Sequence, residues 1–137
     1  SDESAYRLDC DENDFMHPIS QLPAGLTLSD KLNGSVMREC RRRLEHPGVT
    51  IDEVDAFADQ IDTQLLAASV DPIGNILVQK LIEKGSDSTR SKILAALSPY
   101  MATVGIHKNG TWVVQKLITY CLTGEQRDEM ADSLRPY

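Results

Sequence analysis

Nowhere in the sequence do about 18 apolar residues follow one another, as a bilayer-spanning helix requires. Ser1 to Asp14 also have neither the basic nor the apolar stretch of a secretory signal. A soluble, cytoplasmic chain is therefore expected. Cysteine is scarce: Cys10, Cys40 and Cys121 are far apart and odd in number, which excludes a disulfide framework and a zinc knuckle and suits reduced structural thiols. His17, His46 and His107 have no spacing used for zinc or for a nucleophile–base pair, and no glycine-rich phosphate loop occurs. Asp9, Asp11 and Asn13 stand at the first ligand spacings of an EF-hand, but Asp14 occupies the position that needs glycine and Ser20 the position that needs glutamate. No enzyme, metal or cofactor is expected.

Positive charge is also in short supply, with a formal net charge of −7. Its distribution matters more than its sum. Residues 1–70 carry six Lys/Arg against fourteen Asp/Glu, whereas residues 71–118 carry six against three. The acid is concentrated in the leading half and the second half is mildly basic, which permits contact with a polyanion without demanding it. Arg41-Arg42-Arg43 is flanked by Glu39 and Glu45 and reads as a solvated helix face.

The second half repeats itself. Asp71-Pro-Ile-Gly-Asn-Ile-Leu-Val-Gln-Lys-Leu-Ile82 aligns with His107-Lys-Asn-Gly-Thr-Trp-Val-Val-Gln-Lys-Leu-Ile118 at an offset of 36. Beyond it the offset becomes 37, pairing Arg90 with Arg127, Leu97 with Leu134 and Pro99-Tyr100 with Pro136-Tyr137. A fixed period of this length marks stacked helical units, each too small to bury its own apolar face. Helices are expected over Asp52 to Ala68, from an Asp71 cap with Pro72 in the first turn to Lys84, and over Thr89 to Leu97, Gly110 to Cys121 and Glu125 to Leu134. Ser35 to Leu44 is expected to form a capping helix closed by His46-Pro47-Gly48, and no fixed structure is assigned to residues 1–34. The organisation expected is thus a leader (1–34), a cap and turn (35–51), repeats over 52–87 and 88–123, and the opening of a third unit (124–137).

On a helical wheel with Asn75 at zero, Gln79 falls at about 40° and Ile76 at about 100°, while Leu77, Val78, Leu81 and Ile82 fill the opposite arc. Thr111, Gln115 and Trp112 take the same three places in the second copy. Two polar groups one turn apart beside a flat or bulky group suit a flipped-out base: an amide meets the base edge with donor and acceptor, and the neighbour covers the base face. Trp112, the only tryptophan, is the most informative of the six. Lys80, Lys84, Lys108 and Lys116 are candidate phosphate contacts, or plain surface charges.

Gly-Asn-x-x-Val-Gln-Lys-Leu-Ile and Gly-Thr-Trp-Val-Val-Gln-Lys-Leu-Ile resemble the base-reading helix of Pumilio (PUF) repeats, and the resemblance extends over residues 52–137. It implies an all-α, right-handed α-solenoid that binds single-stranded RNA, one base per repeat, in post-transcriptional regulation of messenger RNA. Asn75 and Gln79 would read uracil with Ile76 as stacking neighbour; Thr111 and Gln115 would read adenine or uracil with Trp112 stacking. RNA antiparallel to the chain would then read 5′-A-U-3′ or 5′-U-U-3′. Ile76 departs from the family's aromatic or arginine at that place, and the family's domain holds more repeats than these. The wording around His107 resembles the fungal branch of larger PUF-repeat proteins. The other class of function compatible with the same helices is a repeat scaffold for a protein partner, indifferent to these six residues.

Overall fold

The computed structural model describes residues 21–121 and 123–135, and among these residues helices are the sole regular structure. They are α1 (Gly34–Glu45), α2 (Ile51–Gln60), α3 (Leu65–Ser69), α4 (Gly74–Lys84), α5 (Asp87–Leu97), α6 (Met101–Ile106), α7 (Gly110–Tyr120) and α8 (Gly124–Leu134). The start signals are local. Asn33 accepts from the Val36 N–H at 3.0 Å to open α1, and Thr50 accepts from the Glu53 N–H at 3.2 Å to open α2. Ser86 caps α5, and Thr123 with Gln126 forms a reciprocal capping box on α8.

The chain stacks in layers. Inner helices α1, α4 and α7 lie side by side, while α5 and α8 pack behind them and α3 and α6 wedge each inner helix against its outer one. Leu77, Leu81, Ile82, Ile93, Leu94 and Leu97 are fully buried between the layers. At about 1.5 to 3 kcal/mol per buried side chain, this shared core holds together units that could not fold singly. Gly74 and Gly110 allow the closest approach: a Cβ on Gly74 would sit 2.6 Å from the Ala68 carbonyl oxygen, and one on Gly110 2.6 Å from that of Val104.

Three expectations need correction. The helix expected over Asp52 to Ala68 is broken: α2 ends at Gln60, Ile61 leaves helical geometry (φ −110, ψ 16), and a 3-10 turn over Asp62–Gln64 leads into α3. The turn lets Val54 and Ala58 on one side and Leu65 and Ala68 on the other all face one core. Between Leu97 and Gly110, where no helix was expected, a 3-10 turn (Ser98–Tyr100) and α6 repeat that same turn and short helix 36 residues on. Pro72 lies outside α4, which starts at Gly74; Asp71 still caps it, its carboxylate accepting from the Ile73 and Gly74 N–H groups at 2.8 and 2.7 Å.

Of the leader, residues 21–33 pack on the body: Leu32 is buried, and the Ser29 N–H donates to Gln64 Oε1 at 2.8 Å. The readings of Cys10, His17, the EF-hand-like run and the Pro136-Tyr137 match lie outside the described residues. Cys40 is half-buried and Cys121 buried, both free, and burial pushes both thiols up.

Candidate functional site

The inner helices α4 and α7 present their equivalent edges side by side. Asp71 caps α4 with its carboxylate, and at the equivalent place His107 Nδ1 accepts from the Asn109 and Gly110 N–H groups at 3.0 and 3.2 Å. Each cap fixes the first turn, and with it the position of the residues that follow. Asn109 Nδ2 also donates across the junction to the Val70 carbonyl at 3.1 Å, tying the second unit to the first.

On α4 the polar edge is closed on itself. Asn75 is 5% exposed, not solvent-facing as its wheel position suggests. Its Nδ2 donates to the carbonyls of Asp71 (2.8 Å) and Pro72 (2.9 Å), and its Oδ1 accepts from Gln79 Nε2 at 3.0 Å. Both Asn75 donors are thereby used. Gln79, half-buried, keeps one N–H and its Oε1, a donor and an acceptor side by side. Ile76 is half-buried beside it.

On α7 the edge is open. Thr111 is half-buried, Gln115 is exposed with an amide that makes no hydrogen bond among the described residues, and Trp112 is 54% exposed. A tryptophan ring left in water at a helix surface, next to an unspent amide, is unusual for a residue whose burial is so favourable. The structure thus places Asn75, Ile76 and Gln79 together on one edge and Thr111, Trp112 and Gln115 together on the next.

The four lysines separate into two kinds. Lys108 is exposed and Lys84 half-buried at the C-terminal end of α4, where its charge favours the helix dipole. Lys80 and Lys116 share one partner missed in the sequence, Glu83: its Oε2 lies 3.7 Å from Lys80 Nζ, and its Oε1 pairs with Lys116 Nζ across the junction. Hydrogen bonding to Glu83 pushes the Lys116 ammonium up, and the same ammonium sits 5.8 Å from the centre of the Tyr120 ring. The wheel held the signal. Glu83 is one turn beyond Gln79, at about 80° from Asn75, on the same edge. Among the described residues no cluster of three or more His, Cys, Asp or Glu could hold a metal ion. No helix of the described residues is long and apolar enough to cross a membrane.

Comparison with known proteins places this geometry. The profile described as the Pumilio-family RNA binding repeat matches residues 65–98 and 100–134, each span holding one short, one inner and one outer helix. A Pumilio domain-containing protein of Schizosaccharomyces pombe is 38% identical over 117 residues, which cover 85% of this chain and 18% of that protein. The mRNA-binding protein PUF2 of Saccharomyces cerevisiae is 32% identical over 79% of this chain and 10% of its own length. The chain therefore spans less than a fifth of each of these relatives. Among solved structures, the PUM-HD domain of S. pombe Puf1 in complex with RNA superposes with a TM-score of 0.74 at 34% identity, covering 83% of this chain and 31% of that one. The RNA-binding domain of yeast Puf5p bound to AAT2 RNA gives 0.68 at 27% identity, over 84% and 32%. Two profile matches that together take in half of the residues, on two adjoining inner helices of an all-α solenoid, show that the chain belongs to the Pumilio family of RNA-binding repeats.

Proposed function

We propose that this chain binds single-stranded RNA sequence-selectively through the adjoining edges of α4 and α7, one base to each. The observation that carries the proposal is the exposed Trp112 beside the unspent Gln115 amide, in register with Ile76 and Gln79 on the neighbouring helix. The RNA-bound state of the similar Puf1 and Puf5p domains supports it.

At the first repeat the free Oε1 and N–H of Gln79 match the N3–H and carbonyl oxygen of uracil, and Asn75 orients that amide while itself remaining buried. At the second repeat Gln115 meets adenine or uracil with Thr111 beside it, and Trp112 stacks on the base, contributing about 1 to 3 kcal/mol. Lys80, Lys84, Lys108 and Lys116 supply positive charge to the backbone. The chain performs no catalysis; its role is recognition within the cytoplasmic regulation of messenger RNA, as part of a longer array. Two stacked bases give only about 2 to 6 kcal/mol before the cost of ordering the RNA, so this chain alone binds at or above roughly millimolar concentrations.

Trp112, excited selectively, reports binding directly. Titration with short U- and A-containing RNAs is expected to quench it, with a C-only RNA weaker, and Gln79→Ala with Gln115→Ala to abolish the discrimination. Quenching that is absent, or equal for all three RNAs and unchanged in the double variant, would refute base reading and favour the protein-scaffold reading.

A further inference from the structure

We infer that Glu83 is a built-in counter-anion at the junction of the two base-reading edges, occupying Lys80 and Lys116 in the free chain and setting how tightly the RNA backbone is held there. The inference rests on the RNA reading above. Glu83 stands in the same row as Gln79, one turn on. Its carboxylate is divided between the two repeats, Oε2 toward Lys80 at 3.7 Å and Oε1 on Lys116, with a side chain 20% exposed. The pairing is not itself a repeated feature. Lys80 and Lys116 are equivalent, but the place of Glu83 is taken in the second repeat by Thr119, whose hydroxyl donates to the Gln115 carbonyl at 3.0 Å.

A carboxylate offers a lysine the same charge and the same kind of acceptor as a phosphodiester. RNA crossing this junction must therefore displace Glu83 from the ammonium groups or lie against it with like charge opposed. Either way the two lysines act on RNA as about one cation instead of two. A weaker hold on the backbone leaves more of the binding to the base edges, where sequence is read.

Glu83→Gln keeps the shape and removes the charge. Removing that charge returns about one cation to the RNA backbone, which steepens the dependence of log affinity on log salt by about 0.7. The Trp112 titration, run on the whole chain with a U- and A-containing RNA between 50 and 200 mM salt, is expected to show Glu83→Gln binding more tightly at low salt. That advantage is expected to shrink by about 2.6-fold across the range. Glu83→Asp, which keeps the charge, is expected to retain the wild-type slope. Placed on Lys80→Gln/Lys116→Gln, the Glu83→Gln change is expected to give no gain. Glu83→Gln with wild-type affinity and slope, or a gain that persists without the two lysines, overturns the inference while leaving base reading intact. Failure of the wild type to respond to any RNA overturns the RNA reading and this inference together.

Discussion

Ile82 and Ile118 occupy the same position of the two repeats and follow the same four residues, Val-Gln-Lys-Leu, yet Ile82 is wholly buried and Ile118 is 59% exposed. Leu97 and Leu134 differ the same way, at 0% and 40%. The difference lies in the neighbours. Inner helix α4 is covered by α1 on one side and α7 on the other, whereas α7 has α4 on one side and no further helix beyond it among the described residues. In a solenoid the burial of a position belongs to the interface between units, not to the unit. The largest expected effect follows directly. Ile82→Ala should lower unfolding free energy by about 2 to 5 kcal/mol in denaturant melts, through lost burial and an unfilled cavity. Ile118→Ala should stay within about 0.5 kcal/mol of wild type. Similar losses at the two sites would mean that α7 is covered in solution.

The glycines at the starts of α4 and α7 offer the opposite case, where the two repeats should behave alike. Their approach to Ala68 and Val104 lies within each unit, so the missing neighbour of α7 is irrelevant to it. Gly74→Ala and Gly110→Ala should each destabilise by about 1 to 3 kcal/mol, because a backbone oxygen cannot rotate away as a side chain can. Melts in which one glycine tolerates alanine would break the equivalence of the two units.

This contrast also marks what the sequence could disclose. The period, the inner and outer helices and the grouping of Asn75, Ile76 and Gln79 were legible because they depend on residues within one turn or one repeat. The break at Ile61 was not, since the apolar pattern continues through it and only packing against the shared core makes the chain turn; nor was α6, although the end of α5 at Leu97 was. Asn75 looked exposed on a wheel that contains side-chain directions but no neighbours; its amide turns back onto the carbonyls of Asp71 and Pro72 while α1 lies alongside. Glu83 was legible in angle but not in partnership, because Lys116 reaches it from another repeat.

The outer helices are also latched, with different chemistry at each junction. Asp55 on α2 accepts from the Ser86 N–H at 3.0 Å and from the Thr89 hydroxyl at 2.6 Å on α5. At the equivalent places one unit on, Gln126 on α8 donates to Ser91 Oγ (2.9 Å) and to the Asp87 carbonyl (2.8 Å) on α5. Burial pushes the Asp55 carboxyl up, but the hydrogen bonds from Ser86 and Thr89, with the nearby Lys92, more than offset this and hold it below the usual carboxylate range. A depressed carboxyl contributes stability that is full above its unfolded value, about 3.9, and lost as pH falls through the folded one. Asp55→Asn should therefore lower the melting temperature at neutral pH and flatten its decline below about pH 4, while Gln126→Ala should lower it with no change in that slope. An acid slope that survives Asp55→Asn would assign acid sensitivity to other carboxylates.

The smallest effect tests whether the closed edge of the first repeat can be transferred to the open edge of the second. Thr111 stands where Asn75 does, with the carbonyls of His107 and Lys108 in the places of those that Asn75 engages. An asparagine there could donate to both and present its oxygen to Gln115 Nε2, fixing an amide that is otherwise free to turn. The gain is one side-chain hydrogen bond formed at the surface, worth at most about 1 kcal/mol. Thr111→Asn is accordingly expected to tighten uracil-containing RNA by no more than about fivefold, to leave adenine unchanged or weaker, and to be silent in the Gln115→Ala background. Equal gains for both bases would mean that asparagine adds a contact of its own, and the edge of α4 would then read its base with two amides instead of one amide held by another.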